Sequence, residues 1–324
     1  DTLTADKPQL CFDASHGHPL GGGSWWLTEG YWPMLSQLQS AMETTNPDAI
    51  ITSESLSGPY HHVLDGHLTW TLEYEDQIPL FAAVYGGNIQ LYGRTLNGTD
   101  QLAHCMRIGQ SLVFGEQLGR VYPNFLDQVD AAAFLRDAAK VRYKLLPFLS
   151  WGYMARPPVV DGNIPDVTGN WAWGSHDPWM VTISALQSGA WQSQDGRIAF
   201  IFANVSNDPL TFTWDFDPNT YGLERAKIEL FDNPSQSQIV QNAIEKEVQV
   251  AERSIEVYIV HPALDFADLD KDKDVDLNDY AVYAPLFAPD SLSEPNSIAD
   301  IDGDGYVDLF DLDFIAYDWL EGML

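Results

Sequence analysis

The last sixty residues spell one acidic pattern twice. Asp268, Asp270, Asp272, Asp274, Asp276 and Asp279 recur 32 residues later as Asp300, Asp302, Asp304, Tyr306, Asp308 and Asp311. Numbered from the first aspartate, each run puts carboxylates at positions 1, 3, 5, 9 and 12 and Val at position 8 (Val275, Val307). A run of alternate aspartates cannot pack into an apolar core and repels itself when folded. It becomes a compact loop only if the carboxylates turn inward onto a hard cation, with position 7 lending its backbone carbonyl. The spacing therefore predicts two calcium loops. The predicted ligands of the first are Asp268, Asp270, Asp272, Asp274 through its backbone oxygen, Asp276 and Asp279. Those of the second are Asp300, Asp302, Asp304, Tyr306 through its backbone oxygen, Asp308 and Asp311. Each loop runs into an apolar segment, at 280–287 and 314–320.

This tandem of EF-hand-type loops over 263–324 resembles a dockerin module, the calcium-dependent tail by which secreted bacterial polysaccharide-degrading enzymes attach to a partner. The resemblance implies two bound Ca2+ ions, an extracellular or cell-surface bacterial setting, and a cohesin-like or cell-surface protein as docking partner. Two departures stand out. Position 6 is Gly305 in the second loop but Lys273 in the first, where glycine suits the sharp turn. Positions 10 and 11, often small hydroxyl residues in dockerins, are Leu277/Asn278 and Leu309/Phe310.

Charge follows the same division. Residues 263–324 carry 17 acids and 2 lysines, so −15 of the net −31 lies in the tail. The remainder is still acidic, which excludes nucleic acid and an anionic membrane surface as natural partners. No run of 18 apolar residues is present, so no membrane span is expected. The chain begins at Asp1 rather than Met, and is read as an N-terminally truncated piece. Cys11 and Cys105 form no CxxC motif.

Upstream of the tail, residues 1–150 read as strands alternating with helices, which implies a parallel sheet. Strands are expected at 8–12, 49–53, 64–70, 80–85 and 111–114, and helices at 32–45, 98–109 and 130–146. Residues 151–262 read as an antiparallel β-sandwich, with strands at 197–204, 210–214, 227–232, 245–250 and 254–260. The expected order is thus a parallel α/β part, then an antiparallel β-sandwich, then the dockerin-like calcium module.

Asp13 and Glu54 each directly follow an expected strand, with one helix between. In a (β/α) barrel the C-terminal strand ends converge on one mouth. Two carboxylates facing one cleft can hydrolyse a glycosidic bond, one as nucleophile or base and the other as acid. The loops behind them hold five of the eight histidines: His16, His18, His61, His62 and His67. With Trp25, Trp26, Tyr60, His61 and Asp65, the residues His16 and His18 are the candidates for binding a sugar, aromatics on its faces and polar groups on its hydroxyls. Asp65 is also a spare acid that could replace either carboxylate. A further aromatic cluster is Trp171, Trp173, His176 and Trp179, lining a cleft or capping a core. Arg94 and Arg107 are read as structural.

The segments Cys-Phe-Asp13-Ala-Ser-His16 and Ile-Thr-Ser-Glu54-Ser are similar to the catalytic strand ends of endo-α-N-acetylgalactosaminidases and their relatives. That resemblance implies that the parallel α/β part is the C-terminal part of a (β/α)8 barrel. It also implies a glycosidase with Asp13, after the fourth barrel strand, as nucleophile and Glu54, after the fifth, as acid/base. Residues 49–115 then supply strands five to eight. Two other readings stay open: a non-catalytic carbohydrate-binding or scaffold protein held by its tail, and a metal-dependent amidohydrolase-like enzyme using His16-Gly-His18.

Overall fold

Three short strands, β1 (Thr52–Glu54), β2 (Gly66–Leu68) and β3 (Gln90–Tyr92), lie side by side in chain order, all parallel. Thr52 pairs with Gly66 and Gly66 with Gln90. Parallel neighbours need crossovers: a 3-10 turn, Gly58–Tyr60, lies between β1 and β2, and α2 (Leu80–Tyr85) lies between β2 and β3, while α1 (Trp32–Thr45) precedes β1 and α3 (Gln101–Val113) follows β3. Parallel bridges Tyr92–Gln117 and Leu96–Val121 add a fourth chain position beside β3. Every residue of β2 is buried. Gly66 is required there, because a Cβ would stand 2.8 Å from the Gln90 carbonyl oxygen. The computed structural model describes residues 10–54, 56–69, 77–172, 178–223, 225–262, 267–272, 274–293, 297–302 and 305–321.

Four expected elements need correction or relocation. Residues 10–12 are not a strand; Asp13 instead caps a short 3-10 turn, Ala14–His16 (residues 8 and 9 lie outside the described ones). The run 80–85 is α2 rather than a strand, with Ala82 inward and Leu80 and Val84 exposed. A short apolar run reads alike in either conformation, since only its length and neighbours discriminate. Residues 111–113 are the last turn of α3, whose 11 residues from Ala103 to Val113 are all buried. Gly109 does not stop this helix; Gly115, at φ 73°, does. Strand β2 covers 66–68 of the expected 64–70, and Trp70 lies outside the described residues. Of the four parallel strands expected from 49 onward, the described residues therefore form three, β1, β2 and β3, with only isolated parallel bridges at Gln117 and Val121 beyond them.

The described residues form two units by their internal packing, Asp1–Met154 with Asp166–Ala185, and Ala155–Pro165 with Leu186–Leu324. The first unit also holds α4 (Val129–Lys144), α5 (Leu146–Leu149), the short β4 (Tyr153–Met154) and a hairpin of β6 (Asp166–Asn170) and β7 (Met180–Ser184). A buried ion pair ties it internally. Arg94 just after β3 grips both oxygens of Glu116 at 2.7 and 2.8 Å, and both side chains are about fully buried. Thr69 just after β2 donates to the same carboxylate at 3.2 Å, and Arg94 also donates to Gln110. Arg107 donates to the carbonyls of Thr95 and Trp171. Both arginines are thus built into the interior.

The second unit contains a sandwich. One sheet includes, in spatial order, β12 (Asn233–Val240), β11 (Ala226–Leu230), β14 (Ser254–Pro262), β9 (Ile198–Asn204) and β8 (Leu186–Gln192), all antiparallel. The other is β13 (Ile244–Val250), β10 (Leu210–Phe216) and β5 (Val159–Asp161). All seven residues of β9 are buried, while β10 buries alternate residues, as a central and a one-faced strand do. Aromatic rings fill the middle, Phe200 lying 4.6 Å and Phe202 5.6 Å from Trp214. Strand β12 escapes a sequence reading because Asn-Pro-Ser-Gln-Ser-Gln is polar and contains proline. Those residues suit an edge strand, which is its place.

The tail in the same unit has a core of its own: Ala267, Leu269, Val275, Tyr283, Ala299, Ile301, Val307, Phe314 and Ile315. Its helices are α6 (Leu277–Tyr283) and α7 (Leu309–Glu321). Ala267, Leu269, Val275 and Tyr283 recur 32 residues on as Ala299, Ile301, Val307 and Ile315, so each half contributes the same positions.

Candidate functional site

The tail loops are the better-defined site. In the first, Asp279 at position 12 points back into its loop. Its Oδ1 accepts the N–H of Leu269 at 2.6 Å and of Asp270 at 3.1 Å, and its Oδ2 accepts that of Asp276 at 2.7 Å. In the second, Asp311 repeats this atom for atom, accepting from Ile301 at 2.5 Å, Asp302 at 3.1 Å and Asp308 at 2.8 Å. Asp276 and Asp308 cap the following helices through Asn278 and Phe310 N–H.

Carboxylate oxygens of Asp268, Asp270 and Asp279 lie within 4.8 Å of one another, as do those of Asp274, Asp276 and Asp279 and those of Asp300, Asp302 and Asp311. Asp304 and Lys273 lie outside the described residues. Such gathering of like charge is expensive without a cation. Asp270 is raised by burial and by Asp272, Asp274 is raised chiefly by Asp272, and burial pushes Asp311 up to about 6, with Asp302 adding to it. Asp300 Oδ1 is buried without a hydrogen-bond partner. An all-oxygen donor set with an orphaned carboxylate oxygen fits a hard divalent cation. The loops differ in backbone: Gly305 takes φ 93° at position 6, whereas Lys271, at position 4 of the first loop, carries φ 65°.

Glu54 is the last residue of β1, at the C-terminal end of a parallel strand, and is half-buried. Asp13 is exposed. Its Oδ1 accepts from Ser15 Oγ at 2.6 Å and Ser15 N–H at 2.8 Å, and its Oδ2 lies 3.3 Å from His16 Nε2. Those Ser15 bonds, side chain first, hold its carboxyl below the ordinary value, with His18 also lowering it.

The structure joins the two aromatic loops. Trp32 Nε1 donates to the Pro59 carbonyl at 2.9 Å, its ring meets His62 edge-on at 4.7 Å, and Tyr31 meets Tyr60 at 5.9 Å. Further up the first loop, His18 sits 5.5 Å from Trp25 and 5.0 Å from Trp26, with His16 at 5.6 Å. His61 lies 5.2 Å from Tyr85.

Two candidates have structural tasks instead of open surfaces. Tyr60 is buried in a core with Leu35, Ile51, Val63 and Leu64, which raises its phenol. Asp65 precedes β2, at the opposite strand end from Glu54, and its Oδ2 accepts the Ile51 N–H at 2.7 Å. Trp171 is fully buried beneath Arg107, 5.0 Å from its ring, and meets Trp179 at 6.2 Å; Trp173 and His176 lie outside the described residues. The Arg94–Glu116 pair escaped the sequence reading, since nothing local marks residues 22 apart as partners.

Comparison with known proteins adds distant kinship. A family described as a domain of unknown function, DUF6259, matches residues 1–96. A curated Bacteroides thetaiotaomicron protein named "Putative glycoside hydrolase" is 25% identical over 215 residues, covering 64% of this chain. The chain spans 30% of that relative's length. Among solved structures, a Geobacillus stearothermophilus GH27 β-L-arabinopyranosidase aligns at 11% identity and TM-score 0.38, over 72% of this chain and 54% of its own. An α-galactosidase of Saccharomyces cerevisiae aligns at 6% and 0.40, over 72% and 68%. By the 25% match alone, the chain is a distant homologue of that "Putative glycoside hydrolase". Among the described residues, no helix is long and apolar enough to cross a membrane.

Proposed function

We propose that this chain belongs to a secreted bacterial glycoside hydrolase, with Asp13 and Glu54 as its two catalytic carboxylates and its tail as a calcium-dependent docking module. The observation that carries the catalytic reading is Glu54 at the C-terminal end of a parallel strand, the loop after it being held through the Pro59 carbonyl to Trp32, the first residue of the helix that follows the Asp13 loop. An Asp13 held ionised by Ser15 suits the nucleophile, and Glu54 suits the acid that protonates the leaving oxygen. Trp25, Trp26 and His61 on the same loops would meet the sugar, with His16 and His18 beside them. The substrate is a glycan or oligosaccharide, in line with the name of the distant relative.

The test is hydrolysis of a glycoside panel by the native protein and by Asp13→Asn and Glu54→Gln. Each substitution should cost about 10²–10⁴-fold or more in rate. Rates unchanged in both would refute the assignment.

In the tail, calcium would cross-link each loop to its helix. Asp268, Asp270, Asp272, Asp276 and Asp279, with the Asp274 carbonyl, would hold one ion. Asp300, Asp302, Asp304, Asp308 and Asp311, with the Tyr306 carbonyl, would hold the other. The exposed Leu277, Leu309 and Phe310, at loop positions 10 and 11, offer an apolar face to a cohesin-like or cell-surface partner at the bacterial exterior. Calcium titration followed by circular dichroism should show helix gained with ion, and Asp300→Ala with Asp304→Ala should remove most of that gain. Indifference to calcium would refute the module.

A further inference from the structure

The loop bearing Asp13 holds a second cluster of donors with a different chemistry. The Cys11 sulfur and one ring nitrogen each from His16 and His18 lie within 4.8 Å of one another. Cys11 Sγ is 3.2 Å from His16 Nδ1, and the thiol is free. A tetrahedral zinc ion, about 2.3 Å from sulfur and 2.0–2.1 Å from nitrogen, sets its ligand atoms roughly 3.3–3.6 Å apart. The Cys11–His16 pair is already near that spacing, and the His18 donor lies within 4.8 Å of both.

Neighbouring groups select one nitrogen on each ring. His16 Nε2 faces Asp13 Oδ2 at 3.3 Å, so Nδ1 is left toward the Cys11 sulfur. His18 Nδ1 lies 2.8 Å from the Pro19 carbonyl, to which it donates, so Nε2 keeps its lone pair. That Nε2 is buried and has no hydrogen-bond partner. An acceptor behind one ring nitrogen and a bare second nitrogen is how metal-bound histidines are oriented. Trp25 and Trp26 shield His18 from water. Gly22 allows this approach: its φ is 78°, and a Cβ there would sit 1.7 Å from Trp26 Nε1.

We propose that residues 11–18 bind one zinc-class transition-metal ion through the Cys11 thiolate, His16 Nδ1 and His18 Nε2, with Asp13 as the residue that orients His16. Binding releases the Cys11 thiol proton to solvent and leaves a fourth position for water or another ligand. A sulfur ligand favours such an ion over calcium, so this site and the tail loops sort metals by softness. The ion would fix the loop that presents Asp13. The site stands on its own geometry and holds whether or not the chain hydrolyses glycosides.

The probe is Co2+. The reduced full chain is saturated with calcium, so that the aspartate loops are filled, and then titrated. One equivalent should bind with a sulfur-to-cobalt charge-transfer absorption, and zinc should displace it. Cys11→Ser should abolish the band, whereas Cys105→Ser, whose thiol is buried in α3, should keep it. Asp13→Asn should weaken cobalt binding about 10–100-fold while the band remains. Absence of stoichiometric uptake, cobalt bound without the sulfur band, or a band that survives Cys11→Ser would overturn the proposal. A Cys11 thiol that is reactive yet shows no metal affinity would do the same, since that outcome leaves a plain thiol–imidazole pair.

Discussion

The tail and the loop at 11–32 are both crowded with ligating side chains, but they are written differently into the chain. The tail states its design twice. Asp279 and Asp311 accept from the same three loop positions, and the core residues Ala267, Leu269, Val275 and Tyr283 each have a partner 32 residues on. The Asp13 loop is written once, and its meaning depends on atoms that only folding brings together. Cys11 meets His16 across five residues, and Trp32 meets Pro59 across 27. Repetition makes a local site legible, whereas a single loop needs its tertiary partners. The donor chemistry differs as well, with carboxylates in the tail and sulfur and imidazole in the loop.

The largest effect that separates the two regions is calcium removal. Chelation with a calcium-selective agent should unfold the tail, seen as lost helix in circular dichroism. The sandwich, whose core rests on Phe200, Phe202 and Trp214, should keep its own melting transition. A single loss of all structure on chelation would break the distinction. Next comes the interior of the first unit. Arg94→Met leaves Glu116 charged and buried, and should cost about 3–5 kcal/mol in denaturant unfolding. Replacing both residues with apolar ones should recover much of that loss. Tyr60 offers a sharper probe of which aromatics serve the site and which the core. Tyr60→Ala should cost about 3–5 kcal/mol of stability, with Tyr60→Phe close to wild type in both stability and glycoside hydrolysis. Loss of hydrolysis in a stable Tyr60→Phe would return it to the sugar site.

The smallest effect lies on the sandwich surface. Arg197 holds Asp195 at 2.7 Å and keeps its carboxyl at about 2, first through that hydrogen bond, with burial opposing and Ser193 assisting. A depressed value means the pair stabilises above the ordinary carboxylate range near pH 4 and loses its effect as pH falls toward 2. Both side chains are largely solvated, so Asp195→Asn should cost only about 0.5–1 kcal/mol at neutral pH. That difference should fade in acid.

Particular residues show where sequence stops informing. Helix α1 was legible at its full length, and five sandwich strands near their true limits, because period and turn residues agree there. Leu80–Tyr85 was misread because six apolar residues carry no period. The 111–114 strand failed because Gly109 looks like a stop until its burial inside α3 is known. Asp65 read as a spare catalytic acid, since its bond to the Ile51 N–H joins residues 14 apart. Asp13 and Glu54 stand out in the sequence by type and place, whereas the thiol and two imidazoles around Asp13 take on a joint meaning only in three dimensions.

The central claim is that Asp13 and Glu54 play distinct roles in one glycoside-cleaving site. Its most direct test compares the two variants on glycosides with an activated aryl leaving group and on unactivated ones. An activated group departs without acid help. Glu54→Gln should therefore keep much of its rate on the activated substrate while falling about 10²–10⁴-fold on the other. Asp13→Asn should fall on both. Equal loss in the two variants on every substrate, or none in either, would contradict the account.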